Sequence, residues 1–150
     1  MVDFELVKRC YRLEARKATR EELLMLHDEN YLESLVAIPK MKQATLNQMQ
    51  RQYGSVFLCP DSYDAALISA GSSLQVSLWL DISFFFFIWN ILWKILQIVE
   101  SILSGESRSG IGIIRPPGHH AECDEAYGFC LLNNTALAAK YAIEMHKLDR

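Results

Sequence analysis

Apolar residues first fall into a helical rhythm just after Thr19. That threonine is followed three positions later by Glu22, and Leu23, Leu24 and Leu26 come next. This is a capping-box pattern, in which hydroxyl and carboxylate each satisfy a backbone N–H at a helix start. A second start follows at Asp28, with Tyr31, Leu32, Leu35 and Val36 at helical spacing and Pro39 marking the end. Residues Lys40 to Gln52 are polar with scattered methionine and leucine, which predicts a weak helix or a surface loop. Ser55 to Leu58 predicts a short strand, and Cys59-Pro60-Asp61-Ser62 a turn whose aspartate or serine can cap the next element. Ala65, Ala66, Ile68, Ser69 and Ala70 then predict a closely packing helix of small residues.

The next helix is interrupted. Ser73-Leu74-Gln75-Val76 is echoed by Ile95-Leu96-Gln97-Ile98, the two Leu-Gln pairs lying 22 residues apart. With Val76 to Gln97 set aside, Leu74-Gln75 runs straight into Ile98-Val99-Glu100-Ser101-Ile102-Leu103-Ser104-Gly105, an amphipathic helix closing on a C-cap glycine. The segment set aside has no helical periodicity, because its aromatics are consecutive. Leu78 to Trp93 holds all three tryptophans and four of the seven phenylalanines. It reads as an insertion at about 76–97, of the kind that a translated intervening sequence would give. A membrane segment at 78–99 is the competing reading. A span needs about 20 predominantly apolar residues. The eighteen from Ile82 to Val99 are broken by Ser83, Asn90, Lys94 and Gln97, so anchoring is disfavoured.

Further on, Gly110-Ile111-Gly112-Ile113-Ile114 is a short apolar run bounded by glycine and by Arg115-Pro116-Pro117, which predicts a buried strand of a parallel sheet. Its carboxyl end delivers Gly118-His119-His120, and open α/β sheets bind ligands just outside the carboxyl ends of their strands. Asn134 or Thr135 can cap a last helix carrying Ala136, Leu137, Ala139, Ala142, Ile143 and Met145. After Leu148-Asp149-Arg150 an alternating α/β pattern calls for another strand.

Composition narrows the classes. A length of 150 residues suits a single domain or a piece of a larger one. Fifteen basic against eighteen acidic residues give a net charge of −3, too weak and too mixed in sign for a nucleic-acid footprint, so direct nucleic-acid binding is not expected. Cys10, Cys59, Cys123 and Cys130 form no CxxC pair, and Met1-Val2-Asp3-Phe4-Glu5 lacks the basic and apolar regions of a secretory signal. Free thiols in a reducing, intracellular compartment are the expectation.

The strongest local chemistry is the adjacent pair His119 and His120 after Pro116-Pro117-Gly118. Two prolines restrict the backbone and Gly118 permits a tight approach, so both imidazoles are held with little chain entropy left to lose. Histidine titrates near neutrality and passes protons both ways, which suits attack by water and departure of an amine. A solvated pair on a loop is the plain alternative. Zinc binding by His119, His120 and Cys123 is a third reading, but no second cluster supplies further ligands, and His27, His146 and Cys130 are expected in core or surface roles. Glu122, Asp124 and Glu125 read as a solvated acidic face. In Gly128-Phe129 the aromatic could wall a narrow apolar channel for a long aliphatic stem, although a lone phenylalanine is more often core. The absence of GxSxG, GxxxxGK[ST] and HExxH sets aside serine hydrolases, P-loop NTPases and zincins.

Taken together, IIRPPGHHAECDEAYGFCLLNNTALAAKYA resembles the central signature of the zinc-dependent histone deacetylases. The stretches ARKATREELLMLHDENYLESL, SVFLCPDSYDAALISAGSSLQ and IVESILSGESRSG are similar to class II members, especially the largely cytoplasmic tubulin-type deacetylases. Apart from Val76 to Gln97 the likeness covers nearly the whole chain from about Ala15 onward. The resemblance implies an arginase-like α/β fold, a parallel sheet between helices, of which residues 1–150 would be the N-terminal part. It also implies a zinc ion at the carboxyl edge of the sheet, whose bound water attacks the acetyl carbonyl of acetyl-lysine.

By the same resemblance, His119 and His120 match the tandem histidines that act as electrostatic stabiliser and general base/acid. Phe129 matches a wall of the acetyl-lysine tunnel, Gly128 would offer its carbonyl to the substrate amide, and Asp61 falls in the loop lining the tunnel rim. The implied partners are acetylated proteins such as histones or tubulin, in cytoplasm, nucleus or both. The family's metal ligands, an Asp-x-His pair and a more distant aspartate, and its transition-state tyrosine match positions beyond Arg150. Residues 1–150 are therefore expected to hold no zinc ligand and to be inactive alone. A membrane-associated or scaffold isoform, and a mis-spliced product without function, are the alternatives.

Overall fold

The computed structural model describes residues 13–74, 98–103, 105, 108 and 110–148; Cys10 and the segment read as an insertion at 76–97 lie outside them. Among the described residues no helix is long and apolar enough to cross a membrane.

The capping box at Thr19 forms as the spacing predicts. Its hydroxyl accepts from the Glu22 N–H at 3.2 Å, the Glu22 carboxylate accepts from the Thr19 N–H at 2.8 Å, and helix α1 runs over Arg20–Leu24. The Glu22 carboxylate is buried, and the Arg16 guanidinium 2.7 Å away compensates it. Asp28 caps α2, Glu29–Val36, by accepting from the Asn30 and Tyr31 N–H groups. Tyr31, Leu32 and Leu35 face the core, whereas Val36 is half exposed at the last turn. A 3-10 turn, Ile38–Lys40, then carries Pro39. The polar stretch after it forms a helix, α3, Gln43–Gln50, which a single fully buried side chain, Leu46, ties to the core.

Helix α4, Ser62–Leu74, starts from the Cys59-Pro60-Asp61-Ser62 turn. There the Ser62 hydroxyl accepts from the Cys59 N–H at 2.9 Å, and the Ser62 N–H returns to the Cys59 carbonyl at 3.0 Å. Small residues on α4 do what their size allows. The segment Arg16 to Ala18 crosses directly over Gly71, where any Cβ would collide with its backbone, and the Ala18 N–H reaches the Leu67 carbonyl at 2.9 Å. Helix α5, Ile98–Leu103, packs against α4 and against α6, Asn134–His146, and α4 packs on α6 in turn. Gly105, at φ +82°, donates to the Ile102 carbonyl, as a C-cap glycine does.

Leu23, Leu32, Leu35, Leu58, Leu74 and Leu137 form the centre of one continuous core. Each such leucine contributes roughly 1.5–3 kcal/mol through burial.

The expected strand elements do not form. Residues 110–114 form no strand, and Ile111 and Ile113 are 80 % and 79 % exposed rather than buried. Residues 55–58 likewise form no strand, and Phe57 faces solvent. Among the described residues only two isolated bridges occur, Gly54 with Tyr127 and Tyr127 with Cys130. A parallel strand is held by N–H and C=O groups on its neighbours. Among the described residues no backbone bond or bridge reaches 110–114, so an apolar run that could pair stays single.

Candidate active site

The Pro-Pro-Gly turn is held from outside its own sequence, chiefly by Asn134. This residue is buried in the first turn of α6, and its amide nitrogen donates to the carbonyls of Pro116 at 3.1 Å and Pro117 at 3.2 Å and to the Ser69 hydroxyl at 2.8 Å. Ser69, from α4, donates its own proton to the Pro116 carbonyl at 2.6 Å. Gly118 is buried at φ +89° against Asn134. Its N–H donates to the sulfur of buried Cys130 at 3.2 Å, and that thiol donates to the Gly128 carbonyl at 3.3 Å. Cys130 thereby joins the two turns that carry the candidate site.

On this base His119 and His120 are both exposed, with ring centroids 4.2 Å apart and planes at 68°. The Ala121 N–H closes the turn on the Gly118 carbonyl at 3.2 Å. The His120 ring lies so close to Gly128 that a Cβ there would be 2.8 Å from its Cδ2. On another side it meets the Tyr127 ring edge-on at 6.4 Å.

Gly128 and Phe129 adopt positive φ, +51° and +65°, and donate their N–H groups to the carbonyls of Gly54 at 2.8 Å and Ser55 at 2.9 Å. Tyr127 covers Gly54, which has no room for a side chain. The structure thus gathers His119, His120, Gly128 and Phe129 into one surface region, with Phe129 72 % exposed. Asp61 is not among the residues in contact with this group. It is exposed, just before the start of α4.

Asn133 and His27 complete the framework. Asn133, not Asn134 or Thr135, is the N-cap of α6: its side-chain oxygen accepts from the Ala136 N–H at 2.9 Å, while its amide nitrogen donates to the Ala121 carbonyl at 2.8 Å. The cap falls one residue earlier than expected because Asn134 is drawn inward to the proline carbonyls. Buried His27 joins the Cys123 carbonyl to the Asn133 N–H through its two ring nitrogens. Burial, more than any neighbouring group, holds its pKa below the ordinary value. Among these supports, Asn133 had no assigned role in the sequence, Asn134 was expected only as a helix cap and Ser69 only as a small packing residue. The signal that could have found them is the doubled asparagine at a helix start, since one asparagine suffices for a cap.

An open cavity of about 290 Å³ lies beside this framework rather than at the histidines, lined by Ser73, Val99, Gly112, Ile114, Asn134, Thr135 and Ala138. Among the described residues no three of His, Cys, Asp and Glu approach closely enough to share a metal ion, His119, His120 and Cys123 included. The described side chains therefore do not make up a zinc site. Cys59, Cys123 and Cys130 are free thiols.

A histidine pair carried on a Pro-Pro-Gly turn, backed by the first turn of a helix and facing a Gly-Phe turn, defines the class. The chain matches the histone deacetylase domain over residues 1–80 and 91–150, and it belongs to the histone deacetylase family, in its class II branch. That family is zinc-dependent in general. The unmatched residues 81–90 fall inside the segment read as an insertion.

Over 145 residues the chain is 33 % identical to the polyamine deacetylase HDAC10 of Danio rerio, covering 97 % of this chain and 18 % of that protein. It is 34 % identical over 137 residues to histone deacetylase 18 of Arabidopsis thaliana, covering 91 % of this chain and 17 % of that one. The HD domain of HDA15 superposes with a TM-score of 0.63 at 25 % identity, over 89 % of this chain and 30 % of that domain. The fold is accordingly of the deacetylase type, and the chain spans less than a fifth of the length of these curated relatives.

Proposed function

We propose that this chain supplies the tandem-histidine half of an amide-hydrolysing site acting on acetylated amines, acetyl-lysine in proteins above all. The observation that carries the reading is the pair His119 and His120, exposed side by side on a turn that Asn134, Ser69 and Cys130 hold rigid. In this reading His120 takes the proton from the attacking water and returns it to the leaving amine, while His119 stabilises the charge that develops. Phe129 flanks the aliphatic stem of the substrate, and Gly128 offers its carbonyl to the substrate amide. Asp61 belongs to the loop that lines the rim of the tunnel.

The remaining zinc-binding half, and the parallel sheet against which 110–114 would pair, come from residues other than those described. Histones and tubulin-like proteins are the proposed macromolecular substrates, met in the cytoplasm or nucleus without direct contact to nucleic acid. The relatives named as polyamine deacetylases favour a second substrate class, acetylated polyamines, whose stem resembles that of lysine.

A chimera tests the reading. Residues 1–150 without 76–97 are joined to the C-terminal part of a class II deacetylase and assayed on an acetyl-lysine peptide and on an acetylated polyamine. Hydrolysis is expected, with His120→Ala lowering kcat by about 10²–10⁴. A folded, zinc-loaded chimera that hydrolyses neither compound rejects the proposal.

A further inference from the structure

His27 touches neither of the exposed histidines, yet the framework of the pair runs through it. Its Nδ1 lies 3.0 Å from the Cys123 carbonyl, which only accepts, and its Nε2 lies 3.1 Å from the Asn133 N–H, which only donates. These two partners leave the ring one arrangement: neutral, with its proton on Nδ1. The Cys123 carbonyl also accepts from the Asp28 N–H at 3.0 Å, so the start of α2 and the far end of the histidine loop meet at one atom.

Asn133, fixed by Nε2, carries the constraint onward. Its side chain donates to the Ala121 carbonyl at 2.8 Å, and Ala121 is the residue next to His120 and closes the Gly118 turn. Loop 118–123 is therefore gripped at Ala121 and Cys123, and both grips lead to one buried imidazole.

We infer that His27 is a positioning residue for the histidine pair, a neutral Nδ1-protonated bridge that sets the Asn133 backbone, through it Ala121, and so the place of His120. The inference rests on the deacetylase reading for its purpose. The geometry it describes can be read without turnover.

Because the two bonds leave from different depths of the ring, two substitutions separate them. The amide of asparagine reaches about as far as Nδ1 and can still donate to Cys123, whereas that of glutamine reaches about as far as Nε2 and can still accept from Asn133. His27→Phe keeps the volume and neither bond. The test uses the full 150-residue chain, labelled with ¹⁵N, and reads three quantities: the protonation pattern of the His27 ring, hydrogen exchange at the Asn133 amide, and the through-space contact between the His120 ring and the Gly128 Hα.

The expected wild-type ring is protonated at Nδ1 and bare at Nε2. His27→Asn and His27→Phe should speed Asn133 exchange about fivefold or more, as loss of one hydrogen bond does, and weaken the His120–Gly128 contact. His27→Gln should preserve both. A wild-type ring protonated at Nε2, a His27→Phe chain indistinguishable from wild type, equal effects of Gln and Asn, or failure of all three variants to fold would each overturn the inference. Failure of the deacetylase reading appears elsewhere, as absent hydrolysis in the chimera with these spectra unchanged.

Discussion

Gly118 and Asn134 are in such close apposition that a Cβ on the glycine would stand 2.6 Å from both the backbone nitrogen and the side-chain carbon of the asparagine. The contact brings the first turn of α6 to the turn before the histidines, and it also requires φ +89° at Gly118. Gly118→Ala meets both obstacles, a left-handed backbone and a collision with main chain. It should lower stability by about 2 kcal/mol or more, read as a shift in the urea midpoint. A midpoint equal to wild type would mean that the apposition is loose in solution.

Asn134 offers a sharper test, because only its amide nitrogen is used. Asn134→Leu keeps the branched shape but leaves the Pro117 carbonyl without its donor, a loss of about 1–3 kcal/mol. Asn134→Asp sets a carboxylate against two carbonyls and should be worse at neutral pH, by about 3–5 kcal/mol. A protonated carboxyl can donate where the carboxylate cannot, so the folded-state pKa of that aspartate lies above its unfolded value. The aspartate variant should therefore recover stability as pH falls, and the leucine variant should not. Parallel pH profiles for the two would remove the amide from the account.

The sequence declared the starts of α1 and α2 openly because each is a local event. Thr19 with Glu22, and Asp28 with the residues after it, need nothing beyond one turn of chain. The histidine pair was legible for the same reason, since Pro116, Pro117 and Gly118 lie next to it. The supports of the pair were not legible. Asn134 reaches Pro116 across 18 residues, Ser69 reaches it across 47 and His27 reaches Asn133 across 106, and no local pattern encodes such distances. The strand expected at 110–114 fails for a related reason. Its apolar residues express a capacity to pair, and pairing needs a partner that the described residues do not provide.

Cys123 gives a chemical check on the acidic loop. The thiol is exposed, and its hydrogen bond to Asp124, helped by that carboxylate's charge, raises its pKa. Less thiolate at neutral pH means slower alkylation. Asp124→Asn should speed carbamidomethylation of the Cys123 peptide, followed by mass spectrometry, while buried Cys130 stays protected in both proteins. Unchanged Cys123 kinetics would show that the Asp124 contact does not persist.

His27 makes stability depend on pH in a predictable direction. Its folded-state pKa is lowered, mainly by burial, with the Cys123 and Glu122 backbone bonds opposing the shift only in part. The unfolded chain has an ordinary histidine, which protonates below about pH 6.5. Above that pH neither state carries the proton and stability is flat with respect to His27. As pH falls from about 6.5 toward the folded-state pKa, the unfolded state binds a proton that the native state refuses, so the native state loses ground. Below the folded-state pKa the loss levels off.

Urea midpoints taken from about pH 8 down to about pH 5 cover the upper part of this window and stay above the range where carboxylates titrate. Wild type should weaken across that range, and His27→Gln, which keeps the Asn133 bond but cannot protonate, should show a flatter profile. If the two profiles run parallel, His27 is not buried as a neutral bridge, and the framework beneath the histidine pair must be held in another way.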